Sequence, residues 1–170
     1  MPPIISQLIK FTTHSGFTLA SGAFADLRRA VTRHGVQEQY YGLCTDAPNT
    51  LLWVIQWPMP QGPQESASFK AFVNALDVSG TPAITYLPFA HESLPRPALM
   101  APVCEICFIH INDKSVDESL AHSLQKTFTD CYLAQGFVGG AWSTARDDPL
   151  LNYYYLGWQT RKARLSWTGN

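Results

Sequence analysis

Apolar positions along the chain follow two different spacings, which predict strands and helices in alternation. Residues 4–11 form a largely apolar run that predicts a strand, and residues 36–44 and 51–57 predict two more. Between the first two runs, residues 19–34 predict a helix because their apolar positions recur at helical spacing, at Leu19, Ala23, Leu27, Ala30 and Val31. Gly35 follows at the place where a glycine commonly ends a helix. A turn through Asp46 and Pro48 would join the second and third strands.

The pattern continues with a second helix over residues 64–76 and a strand over residues 83–89. The order β-α-β-β-α-β is that of a ferredoxin-like unit. After a proline-rich stretch, a strand begins at Val103, and a helix would start at Ser115 or Asp117 and run to about Ala134. Strands over 137–144 and 151–158 follow. Too few residues come after Trp158 for both a helix and a strand, so the second unit is predicted as an incomplete β-α-β-β.

The two halves match each other at a constant offset of 101 residues without a gap. The matched pairs that carry the alignment are Gly35 with Gly136, Asp46 with Asp147, Pro48 with Pro149, and Trp57 with Trp158. Self-similarity at a fixed offset predicts a duplicated structural unit. We therefore predict a first ferredoxin-like repeat over residues 1–90, a proline-rich linker over 91–101 and a second, incomplete repeat over 102–170.

Composition and charge narrow the class of protein. Hydrophobic residues make up 46% of the 170 residues and charged residues only 15%, which favours a folded chain with a sizeable core over a disordered one. The net charge of −1 predicts neither nucleic acid nor an anionic membrane as a partner. No apolar run is long enough to cross a bilayer, and the N-terminus lacks the charged region of a secretory signal, so we expect a cytoplasmic protein.

Several short motifs in the second half point to a known family. They are Gly-Gly-x-Trp at 139–142, Asp-Asp-Pro at 147–149 and Tyr-Tyr-Tyr-Leu-Gly-Trp at 153–158, set in the duplicated β-α-β-β pattern. In these features the chain resembles the dimeric α+β barrel proteins, and is most similar to the antibiotic-biosynthesis-monooxygenase-like group in its fungal tandem-repeat form. The resemblance implies an α+β fold in which antiparallel sheets form a barrel around a cavity. Because the second repeat lacks its last helix and strand, a homodimer would be one way to cover an exposed sheet edge.

Two residues of the strand that begins at Val103 could transfer protons. His110 is the first candidate because histidine titrates near neutral pH and this one ends an apolar strand. Glu105 is the second, since a carboxylate buried among apolar side chains would have a raised pKa and suit a general base. For both, a purely structural role is the alternative. They differ in strand parity, so we expect at most one of them to face a given cavity.

Aromatic residues could form the wall of a substrate cavity. Trp142 and Tyr154 match Tyr41 and Trp53 across the repeat, and Tyr86 lies in a further strand. Such walls suit flat apolar ligands, although core packing under the helices would explain the same residues. Cys104 and Cys107 form a CxxC motif inside an apolar strand, which favours buried thiols over a metal or redox site.

The family includes cofactor-independent oxygenases of aromatic polyketides, cyclases, isomerases and haem-degrading enzymes. The resemblance therefore implies a cofactor-independent enzyme of specialised, polyketide-type metabolism. It would oxygenate, cyclise or isomerise an apolar aromatic or polycyclic small molecule. We expect no cofactor and no metal, because the chain contains no HExxH, Walker, GxSxG or Rossmann motif. The alternatives are a non-catalytic ligand-binding or stress-response barrel, and a barrel that binds haem through His110.

Overall fold

The structure, a computed structural model, describes residues 4–36, 38–58, 78–89, 95–112 and 118–166. The chain divides into two compact units, Met1–His91 and Glu92–Asn170. The helix predicted over residues 64–76 and the predicted helix start at Ser115 or Asp117 lie outside the described residues. Within the described ranges, no helix is long and apolar enough to span a membrane.

The first unit contains one helix and four strands within the described residues. They are β1 (Ile4–Thr13), α1 (Gly22–Thr32), β2 (Glu38–Leu43), β3 (Thr50–Pro58) and β4 (Val78–Phe89). The strands pair antiparallel in the order β2-β3-β1-β4, as a ferredoxin-like α+β fold requires. Strand β4 begins at Val78 rather than at 83, because it pairs with β1 along almost its whole length.

Helix α1 packs on one face of this sheet and forms the core there. It buries Phe24, Leu27 and Val31, which are spaced so that they lie on one side of the helix. The sheet meets this side with alternate residues, namely Ile5, Ile9 and Phe11 of β1 and Leu51, Trp53, Ile55 and Trp57 of β3. Ile4 and Leu8 on the other face are buried as well. Strands buried on both faces lose the strict alternation of polar and apolar residues, which explains the largely apolar run at 4–11.

The second unit has three strands and three α-helices in its described part. They are α2 (Arg96–Leu99), β5 (Val103–His110), α3 (Glu118–Asp130), a 3₁₀ turn (Cys131–Leu133), β6 (Phe137–Ala145), β7 (Asp148–Trp158) and α4 (Arg161–Ser166). The strands pair antiparallel in the order β5-β7-β6. The tail after Trp158 begins with helix α4, and no strand follows it within residues 159–166.

The two hairpins agree in register with the alignment at an offset of 101. Tyr41 pairs with Trp53 in the first unit, and the matched residues Trp142 and Tyr154 pair in the second. Gly35 and Gly136 precede their strands with φ angles of 82° and 85°, a backbone region that favours glycine.

The hairpin turns differ: the turn predicted through Asp46 and Pro48 is present in the first unit, but the matched Asp147 and Pro149 do not form an equivalent turn in the second. The first loop runs over residues 44–49, whereas the second is a turn of Arg146 and Asp147 alone. Strand β7 therefore starts at Asp148 instead of 151 and takes in Pro149, while the matched Pro48 stays in a loop.

Helix α2 lies within the proline-rich stretch where we expected a linker, and it packs closely on the sheet of the second unit. A Cβ atom added at Gly157 would come within 2.8 Å of the Ala98 Cα atom, and one at Gly139 within 2.8 Å of the Pro97 Cβ atom. The two glycines pair with each other across β6 and β7. Glycine is therefore required at both positions, because only its lack of a side chain lets α2 approach.

We predict that Gly157→Ala destabilises the protein by about 1–3 kcal/mol, because the added methyl group collides with the backbone of α2. Gly42→Ala is the matched control, since Gly42 also lies in a strand but an added Cβ would meet nothing within 4 Å. Urea unfolding followed by circular dichroism measures both variants. Equal losses of stability in the two variants would contradict the close packing of α2.

Candidate functional site

The three-stranded sheet of the second unit has one face toward α3 and one face away from it. Phe128 and Cys131 pack against Tyr154, Leu156 and Trp158, so alternate residues of β7 face the helix. The intervening residues point to the other side, which we call the distal face. The register of the sheet assigns to it Ile106, Phe108 and His110 of β5, Ala141 and Ser143 of β6, and Leu151, Tyr153 and Tyr155 of β7.

A histidine and an aspartate meet at one end of the distal face. The Nε2 atom of His110 lies 3.3 Å from the Oδ2 atom of Asp148, the first residue of β7 after the turn. The other carboxylate oxygen, Oδ1, accepts a hydrogen bond from the backbone N–H of Leu150 at 3.0 Å. The carboxylate is thus held by its own strand and can orient the imidazole ring. The two side chains are 47% and 41% exposed, so their pairing contributes little to stability and leaves the histidine accessible.

An aromatic pair lies beside this histidine. The rings of Phe108 and Tyr153 pair across the strands with their centroids 5.6 Å apart. Phe108 is 60% exposed, so its ring presents apolar surface on the strand that carries His110. Toward the other end of the strands, Tyr155 is fully buried, and α2 covers Gly157. Within this unit, α2 covers one end of the distal face, whereas Phe108 and His110 of the edge strand β5 are exposed toward the other end.

Glu105 lies on the opposite face of the sheet from His110. Its Oε2 atom accepts a hydrogen bond from the indole of Trp158 at 3.1 Å. Its Oε1 atom accepts two from the guanidinium of Arg164, at 3.0 and 2.6 Å. Both oxygens are occupied, and the carboxylate ties α4 to the sheet. Strand parity predicts this separation from His110, and the bonds give Glu105 a structural role.

The first unit contains an uncharged counterpart of the hydrogen bond between Trp158 and Glu105. The indole of Trp57 donates to the Oε1 atom of Gln7 at 2.8 Å, and both side chains are buried. Gln7 occupies the position in β1 that Glu105 occupies in β5, two residues beyond the cross-strand partner of the tryptophan. The contact in the second unit differs in carrying a charge, which Arg164 balances.

The five aromatic residues proposed as a substrate wall lie on the helix side of their sheets. Trp53 is fully buried under α1, with its ring 5.5 Å from that of Phe24. Tyr86 packs against the same core, and the ring of Tyr41 lies 5.3 Å from Phe24. In the second unit, Trp142 stacks on Tyr154 at 6.0 Å.

Tyr154 in turn contacts Phe128 of α3. None of the five lies on the distal face with His110. Trp53, Tyr86 and Tyr154 pack in the cores under the helices, whereas Tyr41 and Trp142, on the edge strands β2 and β6, are 41% and 43% exposed. The aromatic residues that do lie beside His110, Phe108 and Tyr153, could have been found by applying strand parity outward from His110. No sequence signal pointed to Asp148 as a partner of His110, because the Asp-Asp-Pro motif predicts a turn.

The thiols of the CxxC motif point to opposite faces of β5 and are not paired with each other. Burial, reinforced by the negative charge of Glu105, raises the pKa of Cys104 to about 12 and that of Cys107 to about 11. Both are protonated at neutral pH and are therefore poor nucleophiles and poor metal ligands. No cluster of three potential metal ligands occurs among the described residues.

We predict that Cys104 and Cys107 resist alkylation by iodoacetamide at pH 8 in the folded protein and react readily after unfolding in urea. Mass spectrometry of tryptic peptides measures the extent at each cysteine. Cys44, which lies in a partly exposed loop, is the internal reference and should react first. Fast alkylation of Cys104 in the folded state would contradict the raised pKa.

The same thiols should make stability depend on alkaline pH. Their folded-state pKa values lie above the ordinary value of 9.0, so the unfolded chain loses these protons first. Their contribution to stability is complete below about pH 9 and is lost as the pH rises from 9 toward 12. A Cys104→Ala/Cys107→Ala variant should show a smaller loss of unfolding free energy between pH 8 and 10.5 than the unmodified protein. An identical slope in the variant would refute this assignment.

Comparison with known proteins bears on the fold. No family model matches the chain, and no curated protein matches it either. Among solved structures, the chain is similar to a protein of Fusobacterium nucleatum subsp. nucleatum named "putative monooxygenase", with a TM-score of 0.61 and 10% identity over 96% of this chain and 79% of that one. A second protein of the same name, from Lactobacillus acidophilus NCFM, has a TM-score of 0.49 and 13% identity over 95% and 80% of the two chains.

The first of these similarities shows the fold. The similarity covers nearly the whole chain, and the α+β arrangement with antiparallel sheets agrees with the predicted fold class. The fungal tandem form and the closure of a barrel stay predictions.

Proposed function

We propose that this protein is a small-molecule enzyme of the oxygenase type in which His110, oriented by Asp148, is the general base. The observation that carries the proposal is the pairing of these two side chains next to the aromatic pair of Phe108, which is exposed, and Tyr153, which is half-buried. A base needs access to its substrate and a partner that stabilises its protonated form. Both conditions are met at the accessible end of the distal face. The name of the similar Fusobacterium nucleatum structure, "putative monooxygenase", favours the same class of reaction.

The chemistry begins with one proton transfer. With its Nε2 atom donating to Asp148, His110 accepts a proton at Nδ1 from an acidic C–H group of the substrate, and Asp148 stabilises the resulting imidazolium. The substrate anion is electron-rich and reduces O2, which is the oxidant. A CH2 group loses two hydrogens and gains one oxygen atom as a carbonyl, and the second oxygen atom leaves as water. Phe108 and Tyr153 would hold a flat, apolar aromatic substrate in place.

The narrower parts of the proposal concern substrate and architecture. We propose an aromatic or polycyclic substrate of specialised, polyketide-type metabolism, for which cyclisation or isomerisation would start with the same proton abstraction. We also propose that the chain is a tandem of ferredoxin-like repeats forming one barrel. The matching hairpin registers, the paired glycines and the two tryptophan contacts support the duplication. A cytoplasmic location and a homodimer remain predictions from the sequence.

We expect His110→Gln to lower kcat by about 100-fold or more, because the proton acceptor is removed. Asp148→Asn should lower kcat by about tenfold or more, because the imidazolium loses its counter-charge. The assay uses anthrone, a tricyclic aromatic compound with an acidic CH2 group, and records O2 uptake together with the absorbance of the quinone product. A set of related aromatic ketones extends the test to other substrates.

Three variants serve as matched controls. His122→Gln removes an exposed histidine of α3, and Asp147→Asn removes the turn aspartate that pairs with Arg146. Glu105→Gln removes the rival carboxylate while keeping an acceptor for Trp158. All three should retain turnover. Loss of turnover in Glu105→Gln with full activity in His110→Gln would reverse the assignment.

Two other outcomes would replace the proposal with one of its alternatives. Saturable binding of the aromatic compounds without turnover, unchanged in His110→Gln, would favour a ligand-binding protein. A Soret band that shifts when haemin is added and is abolished in His110→Ala would favour haem binding. For that ligand, His110 would have to use Nδ1 or give up its contact with Asp148.

A further inference from the structure

Strand β6 is an outer strand of the sheet in the second unit, and it lacks the features that usually protect a sheet edge. The sheet has the order β5-β7-β6, so β6 has no neighbour on its outer side among the strands that the structure describes. Its sequence, FVGGAWSTA, contains no charged residue and no proline. The unpaired backbone N–H and C=O groups of such an edge are a template for pairing with a further strand.

The other edge strands of the two sheets carry this kind of protection. Strand β2 contains Glu38, strand β4 contains Pro82 and Pro88, and strand β5 contains Glu105. Charged residues and prolines on an edge strand disfavour its pairing with another chain. Of the four edges of the described sheets, β6 is therefore the one whose sequence best allows an added strand.

Exposed apolar side chains lie on β6 and directly beside it. Val138 and Trp142 of β6 are 45% and 43% exposed. Tyr132 and Leu133 of the preceding 3₁₀ turn are 57% and 82% exposed. The ring of Tyr132 lies 4.9 Å from that of Phe137, at the start of the strand. Apolar surface therefore accompanies the unprotected backbone edge, and a molecule that covers this edge would remove both from water.

The two faces of the sheet restrict how a second copy of the chain can pair with β6. A two-fold axis perpendicular to the sheet keeps the helix sides of both copies together, and opposite residues of paired strands share a face. One residue of β6 must therefore lie on the axis. Ala141 is the middle residue of β6, and residues 139–144 pair with β7 without an irregularity. With Ala141 on the axis, Trp142 of each copy lies opposite Gly140 of the other.

This arrangement fits the side chains on the helix side of the strand, where both Trp142 and Gly140 lie. Aromatic rings already surround Gly140. A Cβ atom added there would lie 3.1 Å from the ring of Phe137, and the Tyr132 hydroxyl lies 3.5 Å from the Gly140 carbonyl oxygen. The indole of one copy would thus meet an exposed aromatic surface on the other, and the axis makes this contact twice.

We propose that a second copy of this chain pairs with β6 in antiparallel orientation about a two-fold axis at Ala141, so that two three-stranded sheets become one of six strands. The backbone groups of the edge form the new ladder, and Trp142 packs on Tyr132 of the other copy. Because β6 carries no charge, it faces its own copy without repulsion. Two-fold pairing covers the edge in both copies, so association stops at the dimer. The interface involves neither His110 nor Asp148.

Sedimentation equilibrium of the full chain tests the proposal and should show a reversible dimer. Trp142→Lys should weaken dimerisation by about tenfold or more, because the indole contact is lost and two like charges approach across the axis. Leu43→Lys is the matched control, since Leu43 is 44% exposed and lies on the edge strand β2. It should leave the dimerisation constant unchanged. A monomer at every concentration, or equal weakening by the two variants, would overturn the proposal.

Hydrogen exchange on the unmodified protein keeps the test independent of variant folding. In an edge strand, every second backbone N–H group points away from the neighbouring strand and exchanges with solvent. In β6 these groups should become protected as the concentration rises through the dimerisation constant, whereas the outward groups of β5 should not. Nuclear magnetic resonance measures the exchange of each residue. A dimer that forms without this protection in β6, or association beyond the dimer, would refute the two-fold pairing.

Discussion

Each strand of this protein offers two faces, and the helices occupy one of them. Once Phe24 and Leu27 of α1 pack against Trp53, the alternation of side chains fixes the direction of every other residue in β1 and β3. In the second unit, the packing of Phe128 against Tyr154 fixes the direction of the side chains of β7 in the same way. Residues under the helices belong to the core, and on the opposite face burial decides, since Tyr155 is fully buried there whereas His110 is exposed. His110 is available for chemistry because its parity differs from that of the residues under α3.

The two units use equivalent positions for different purposes. Gln7 and Glu105 both accept a hydrogen bond from a buried tryptophan at the end of the third strand of their unit. A neutral amide needs nothing more, but a carboxylate in the same place needs a counter-charge, which Arg164 supplies. Helix α4 therefore has an electrostatic reason to pack where it does. The two units thus differ in the charge of this contact while keeping the same pairing of the tryptophan strand with its neighbour.

Much of the fold could be predicted from the periodicity of apolar residues, because amphipathic helices and the strands buried under them have characteristic spacings of apolar positions. The helix at 22–32 and the strands β1, β3 and β5 lie where the apolar pattern places them. Strand ends were harder to predict. Strands β4 and β7 begin earlier than predicted, at Val78 and Asp148, because backbone pairing extends them beyond the apolar pattern of their side chains. His110 could be proposed from its type and position. Its partner Asp148 could not, because a short turn rather than a sequence motif brings the two together.

The turn of Arg146 and Asp147 has a consequence for how the two hairpins can change over evolutionary time. The loop at 44–49 can gain or lose residues with little effect on the strands it joins, since its hairpin carries no proposed reactive group. An insertion after Ala145 would instead move Asp148 away from His110 while leaving the sheet intact. Under the proposed function, the length of this turn sets the contact between His110 and Asp148, whereas no proposed reactive group depends on the length of its counterpart.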